Sequence, residues 1–334
     1  MTCSRGRRET EGDGRSESSH RTGPGRRYPP RSTPASPVTR VLLLVLAFAA
    51  SASASTDPPA PRWGEHGHRL IGRAATGALP DAMPSFFRDA AEQLSYLNPE
   101  PDRWRSRTEG DLDRALGNAG AAEHYIDLEL VPDSALHATD RLAFADSLVA
   151  HGERSGKVGL LPYVILELTQ RIRIGFRLWR AAETDQERAW VEARILNDAG
   201  ILGHYVADGA NPHHTTIHFN GWAGDDGRFA TLERGFHYRF ESAYVEAHIA
   251  LPEVEAALTT PTQALGPLRP AIWDYVATTH ELVVPLYELD EAESFGPETT
   301  GEAHRAFAVD RLAAGAAMLR DLWWTAWVTS DDEE

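Results

Sequence analysis

His204 and Asp208, in the segment LGHYVADGANPHH, stand four residues apart. On a helix that spacing sends both side chains out from one face. A histidine nitrogen and a carboxylate oxygen so placed can reach one metal ion at about 2.0–2.2 Å without backbone strain. His237 and Glu241, in FHYRFE, repeat the arrangement. Between the pairs, Gly209 and Pro212 break the helix and deliver His213 and His214 just past its end. One such pair is often only a surface hydrogen bond. Two pairs with a His-His turn between them favour metal binding.

Three further segments add donors: WGEHGH brings His66 and His68, PEPDRW brings Asp102, and EHYIDLE brings His124. Each has a plainer reading when taken alone. His124 on an apolar segment suits a hydrogen-bonded core histidine, and Asp102 suits the cap of a turn. The chain has 14 histidines but a single cysteine, Cys3, at its extreme N-terminus. Any metal in the folded region therefore has His, Asp and Glu as its ligands.

Helices must position these residues. Apolar residues recur at helical spacing over 65–78, ended by Pro80, and again over 85–96 and 139–151, the last opened by Thr139 as N-cap. Residues 160–182 are long and amphipathic: Leu161, Ile165, Leu168, Ile172, Phe176 and Trp179 step by three and four. Helices follow over 185–207, 231–249, 262–289 (interrupted by Pro267, Pro270 and Pro285) and 302–328. No stretch sustains a period of two between hairpin turns. With no internal repeat and no linker, the expectation is one all-α domain over 56–334.

The 334 residues are 42% hydrophobic and 25% charged, enough to bury a sizeable core and unlike a globally disordered chain. A mean hydropathy of −0.38 excludes a polytopic membrane protein. Residues 1–40 are rich in Arg, Ser, Gly and Pro and read as disordered. VLLLVLAFAASASAS, residues 41–55, follows Arg40 with a short apolar run and then small residues, the pattern of a secretory signal peptide. The run falls short of the roughly 20 apolar residues that span a bilayer. Export to the periplasm or the extracellular space is expected, with a signal peptide near residues 38–55 and a translation start at Val38. Residues 56–334 carry 24 of the 33 basic residues and 45 of the 49 acidic ones, a balance of −21. So acidic a surface argues against stable binding of duplex DNA. The expected protein is a monomer.

In this order, WGEHGH, PDRW, HYIDLE, HYVADGANPHH and HYRFE resemble the zinc-dependent phospholipase C and single-strand-specific nuclease superfamily, from Trp63 to about Glu241. The resemblance implies an all-α fold with three zinc ions in a cleft. It implies a first zinc held by Asp102, His124, His204 and Asp208, and a second by His214, His237 and Glu241. A third would share Asp208 and add His68 with the backbone of Trp63. Asp102 and Asp208 are the candidate catalytic carboxylates, and the implied reaction is hydrolysis of a phosphodiester by metal-activated water. One departure bears on the third zinc. The family places Trp at its mature N-terminus, where a free amine ligates metal. Here cleavage near Ser55 leaves TDPPAPR ahead of Trp63, whose nitrogen is then an amide. Two zinc ions are expected, and the third depends on a second cut that frees Trp63, or on His66 as a substitute.

The resemblance leaves two substrate classes open. The compact step from Trp63 to His68, the HYID run and the 23-residue step from His214 to His237 resemble the nuclease branch. There the residues at Tyr125 and Asp127 stack a base and hydrogen-bond its edge, although Tyr125 would serve equally as a core aromatic. Glu241, where nucleases usually carry Asp, resembles the phospholipase branch. The preferred substrate is single-stranded nucleic acid or a nucleotide, with phospholipid head groups as the alternative. A non-catalytic protein with purely structural zinc is a third reading. Trp323, Trp324 and Trp327 would suit a membrane interface if exposed, but their spacing from Leu312 through Leu319 favours the core. His213 and His218 are possible substitutes for His214.

Overall fold

Helix α9 (Asp185–Ala210) changes character along its length, and the rest of the molecule is arranged around that change. It opens with a capping box. Thr184 Oγ1 accepts from the Glu187 amide at 3.1 Å, and the Glu187 carboxylate accepts from the Thr184 amide at 3.1 Å. The first turns are largely exposed, whereas every residue from Leu202 to Ala210 is buried. A helix end enclosed on all sides needs neighbours all round. They are α1 (Glu65–Gly77), α3 (Ala91–Leu97), α8 (Leu161–Ala181), α13 (Leu268–His280) and α15 (Glu302–Val328).

A computed structural model of the chain describes residues 64–105, 107–223, 228–229 and 235–331. All of these belong to one compact unit, Thr56–Glu334. The expected leader, residues 1–55, and Trp63 lie outside the described residues. The described chain is mostly helical, and its only β features are the isolated bridges Ile126↔Gly159 and Phe219↔Gly221. None of its helices is long and apolar enough to cross a membrane.

The long helices follow the hydrophobic periodicity. α8 buries Leu161, Ile165, Leu168, Ile172 and Phe176, and a three-residue connection folds α9 back against it. α15 is buried nearly all round, and Trp323 is fully enclosed. Phe87 and Phe176 lie 5.7 Å apart, Trp323 meets Phe87 edge-on at 5.2 Å, and Trp327 meets Phe176 at 5.3 Å. The C-terminal tryptophans thus serve the core, Trp324 and Trp327 as partly buried residues packed against it. They form no exposed interfacial patch.

Four expectations need correction. The helix expected over 85–96 is broken at Asp89–Ala90 into α2 (Ser85–Arg88) and α3. The cap of α6 (Arg141–Ala150) is Asp140, not Thr139, because the Asp140 carboxylate reaches the Leu142 and Ala143 amides at 2.9 Å. The helix expected over 262–289 starts only at Leu268, and a break at 281–282 separates α13 from α14 (Val283–Ala292). The described part of 231–249 is a turn of α10 (Phe236–Tyr238), a π-helix over Arg239–Tyr244 and a turn of α11 (Val245–His248). Four short helices have no counterpart in the periodicity: α4 (Glu100–Trp104), α5 (Arg107–Leu112), α7 (Ser155–Val158) and α12 (Leu251–Ala257).

Two irregular segments complete the framework. The chain runs through 3₁₀ turns around His124 and is nearly extended at Tyr125. Ile126 N there donates to His214 O at 2.8 Å, and Asp127 N donates to Val158 O at 2.7 Å. Gly159 makes this approach possible: at φ 99° a Cβ would stand 2.0 Å from the Tyr125 carbonyl oxygen.

Candidate metal centre

The buried end of α9 carries His204 and Asp208 as successive steps of one face, with His204 Nε2 3.3 Å from Asp208 Oδ2. His124 comes from the 3₁₀ segment and points its Nδ1 at both, 2.9 Å from His204 Nε2 and 3.1 Å from Asp208 Oδ2. On α1, His68 stacks on His204 with centroids 4.1 Å apart and approaches the other carboxylate oxygen, Asp208 Oδ1, at 3.6 Å. Asp102, on α4, brings Oδ1 to 3.9 Å from His124 Nδ1. Two overlapping groups result, His124–His204–Asp208 and His68–Asp102–His204.

A second centre lies beyond the end of α9. Asn211 and Pro212 turn the chain, and the Asn211 side chain caps that turn by accepting from the His213 amide at 3.1 Å. His214 donates Nδ1–H to the His124 carbonyl at 2.6 Å. This sets the tautomer and leaves Nε2 facing His237 Nε2 at 3.1 Å and Glu241 Oε2 at 3.4 Å. His237 Nε2 stands 2.5 Å from the same Glu241 oxygen. The π-helix carrying Glu241 is anchored by Arg239, which pairs with both oxygens of Asp290 at 2.6 and 2.8 Å. π-turns occur often at functional sites.

Burial shapes the charge here. It holds His68 and His204 well below the usual histidine range and takes His124 down to about 3, so all three imidazoles are neutral. Burial likewise pushes Asp208 well above the usual carboxylate range. His214 goes the other way: burial lowers it, but Asp208 and the Glu241 hydrogen bond outweigh that and raise it. Glu241 is driven well below the carboxylate range, because His237 and His214 overcome its own desolvation.

The donor set fits a metal. Imidazole nitrogens and carboxylate oxygens converge in three groups, each with donor atoms within 4.8 Å of one another. Asp208 directs Oδ2 at His124 and His204 and Oδ1 at His68, the disposition a bridging carboxylate needs. The C-terminal end of α9 adds a negative partial charge that favours a cation. Asp102, His214 and His237 keep part of their surface in solvent, so the centre is not sealed.

Other expected residues fall elsewhere. His66 donates to the Ile249 carbonyl at 2.9 Å and takes no part in the groups. His213 is buried between Phe236, Phe240 and Tyr287, with neither ring nitrogen hydrogen-bonded. His218 stacks on Trp222 at 3.7 Å. Neither replaces His214. Tyr125 is half-buried, and its hydroxyl donates to the Gly156 carbonyl at 2.8 Å. Asp127 is buried, and desolvation together with Glu129 pushes its carboxyl up to about 7. Lys157, the only lysine in the chain, sits between Gly156 and Val158, the two residues whose carbonyls hold Tyr125 and Asp127.

Two functional candidates escaped sequence reasoning. Arg105 brings Nη1 to 3.8 Å from Asp102 Oδ1 and places a cation beside His124 and Asp208. Asn211 Nδ2, from the turn that follows α9, donates to Glu241 Oε2 at 2.9 Å and so holds that carboxylate in the second centre. Both lie inside or next to the motifs, three residues beyond each of Asp102 and Asp208.

No protein-family model matches the chain, and no curated protein matches it.

Proposed function

We propose that the chain is an exported zinc-dependent phosphoesterase, of the phospholipase C and single-strand nuclease type, that hydrolyses phosphodiester bonds in single-stranded nucleic acid or nucleotides. The observation that carries this reading is the two donor groups that share His204, with His214, His237 and Glu241 beside them, left partly open to solvent. Asp102, His124, His204 and Asp208 would hold one zinc, and His214, His237 and Glu241 a second. His68 with Asp208 would contribute to a third. When bound, the ions supply positive charge for a phosphodiester and lower the pKa of water toward neutrality.

The chain's own residues do the rest. Asp208 and Glu241 lose or withhold protons so that their oxygens are available as ligands. Asn211 and the His124 carbonyl fix the orientations of Glu241 and His214. Arg105 offers its guanidinium to a phosphate oxygen beside Asp102. Tyr125 presents a ring for a base, and Asp127 presents a carboxyl for the base edge. Solvent-contacting ligands favour catalysis over a closed structural zinc site. Glu241 as the last ligand supports a phospholipase reading, whereas the burial of Trp323 removes its membrane-docking argument.

One zinc-loaded preparation, offered single-stranded DNA, RNA, a 3′-nucleotide and phosphatidylcholine, tests the reading with Asp208→Ala as control. Nucleic acid or nucleotide cleavage is the expected result. Cleavage of lipid alone would reverse the substrate class, and hydrolysis of none would end the enzyme reading.

A further inference from the structure

Outside the ligand set, one polar side chain is completely enclosed where three ligand-bearing segments meet. Asn98 follows α3, four residues before Asp102, and is fully buried. Its Nδ2 donates to the His68 carbonyl at 3.2 Å, while its Oδ1 accepts no hydrogen bond. The carboxamide lies between two helical glycines. A methyl group added at Gly72 of α1 would stand 2.7 Å from Oδ1, and one added at Gly203 of α9 would stand 2.3 Å from Nδ2. Gly72 lies one turn after His68, and Gly203 immediately precedes His204.

A residue that merely filled this space would do so better as leucine, which carries no polar atom to desolvate. The carboxamide instead spends its one hydrogen bond on the turn that carries His68. His204, the residue after Gly203, directs Nε2 at His124 and Asp208.

We propose that Asn98 is a positioning residue for the metal centre: a polar wedge between Gly72 and Gly203 that sets how closely α1 and α9 bring His68 and His204 together. The 4.1 Å ring stack of those histidines is the geometry it maintains. This rests on the metal reading of the site but not on its phosphoester chemistry.

The test compares the full chain with Asn98→Ala, Gly203→Ala, the double variant of both, and Phe87→Leu as a core substitution that touches no ligand. Two quantities are read: the thermal midpoint after metal stripping, and zinc affinity by competition with a chromophoric chelator. Gly203→Ala should lower the metal-free midpoint, and adding Asn98→Ala should recover part of the loss by vacating the space. Both variants lacking Asn98 should bind zinc about 10–100-fold more weakly, with Phe87→Leu within about twofold of the parent. Should Asn98→Ala alone fail to fold, the double variant carries the comparison.

The wedge is overturned if the second substitution restores nothing. The positioning role is overturned if affinity falls no further than in Phe87→Leu. A parent chain that takes up no zinc overturns the metal reading and this one together. A parent that takes up zinc but hydrolyses nothing overturns only the phosphoesterase reading, because neither readout requires turnover.

Discussion

His124 Nδ1 lies 3.1 Å from Asp208 Oδ2 across 84 residues of sequence, and the His124 carbonyl receives the Nδ1–H of His214. One residue thus contacts the first donor group with its ring and orients the second with its backbone. A shift of the 3₁₀ segment around His124 would disturb both groups at once.

The shared position of Asp208 makes a stoichiometric prediction. Asp208→Ala should lose more than one zinc per chain by elemental analysis, because Oδ1 and Oδ2 face different histidines. Loss of none would refute the bridge.

The second centre can be perturbed separately. Asn211→Leu removes the donor to Glu241 and the cap of the 212–215 turn. Zinc titration should show one ion bound about 10–100-fold more weakly, with the other little changed. Equal weakening of both would show that the centres do not bind independently.

Acidity should unfold the metal-free chain. Burial holds His68, His204 and His213 low and takes His124 to about 3, so below about pH 6.5 the unfolded chain takes up protons that the folded one refuses. Stability from these groups is complete above the unfolded value and is lost as pH falls toward the folded one. His124 alone is worth on the order of 4 kcal/mol across that window. Raised Asp208 and Asp127 oppose this with one proton each, fewer than the four histidines supply. Thermal midpoints of the chelated protein should fall between about pH 6 and 4. A flat profile would contradict the buried neutral histidines.

Tyr125 and Asp127 should govern substrate affinity without touching metal content. Tyr125→Ala should raise KM for a nucleotide substrate by about tenfold or more, the worth of one stacked base. Tyr125→Phe loses only the bond to Gly156 and should stay near the parent. Asp127→Asn should raise KM by about three- to tenfold, as for one hydrogen bond. Unchanged KM in both Tyr125→Ala and Asp127→Asn would remove the base subsite.

Gly159→Ala places a methyl group 2.0 Å from the Tyr125 carbonyl oxygen at a positive φ. About 2–4 kcal/mol of destabilisation is expected in denaturant titrations. A neutral effect would mean that the 155–161 segment does not clamp Tyr125.

Much of this was legible in the sequence, for physical reasons that also mark where legibility ends. The helix over 160–182 shows itself because a buried stripe repeats over many turns, whereas those over 185–207 and 302–328, buried all round along part of their length, show themselves by unbroken length; α9 simply runs one further turn, to Ala210. The spacing of His204 to Asp208 and of His237 to Glu241 converts directly into shared direction. Four-residue helices such as α7 contain too few turns to show a period. The π-turn at Arg239–Tyr244 leaves no mark either, and the partner of its Arg239, Asp290, lies on another helix. Asn98 carries no spacing signal, because the glycines that enclose it lie on helices far along the chain, and Arg105 shows only its three-residue step from Asp102.

Lys157 has a practical consequence. Its ammonium is exposed and pairs with Glu153 at 3.0 Å. Apart from the terminal amine, it offers the sole nucleophilic nitrogen of its class in 334 residues. With the terminal amine first blocked at about pH 7, where it reacts and the Lys157 ammonium does not, an amine-reactive fluorophore on Lys157 would be displaced by one or two residues from the backbone that grips Tyr125 and Asp127. The molecule thus carries a built-in attachment point for a reporter beside Tyr125 and Asp127, one that needs no engineered cysteine.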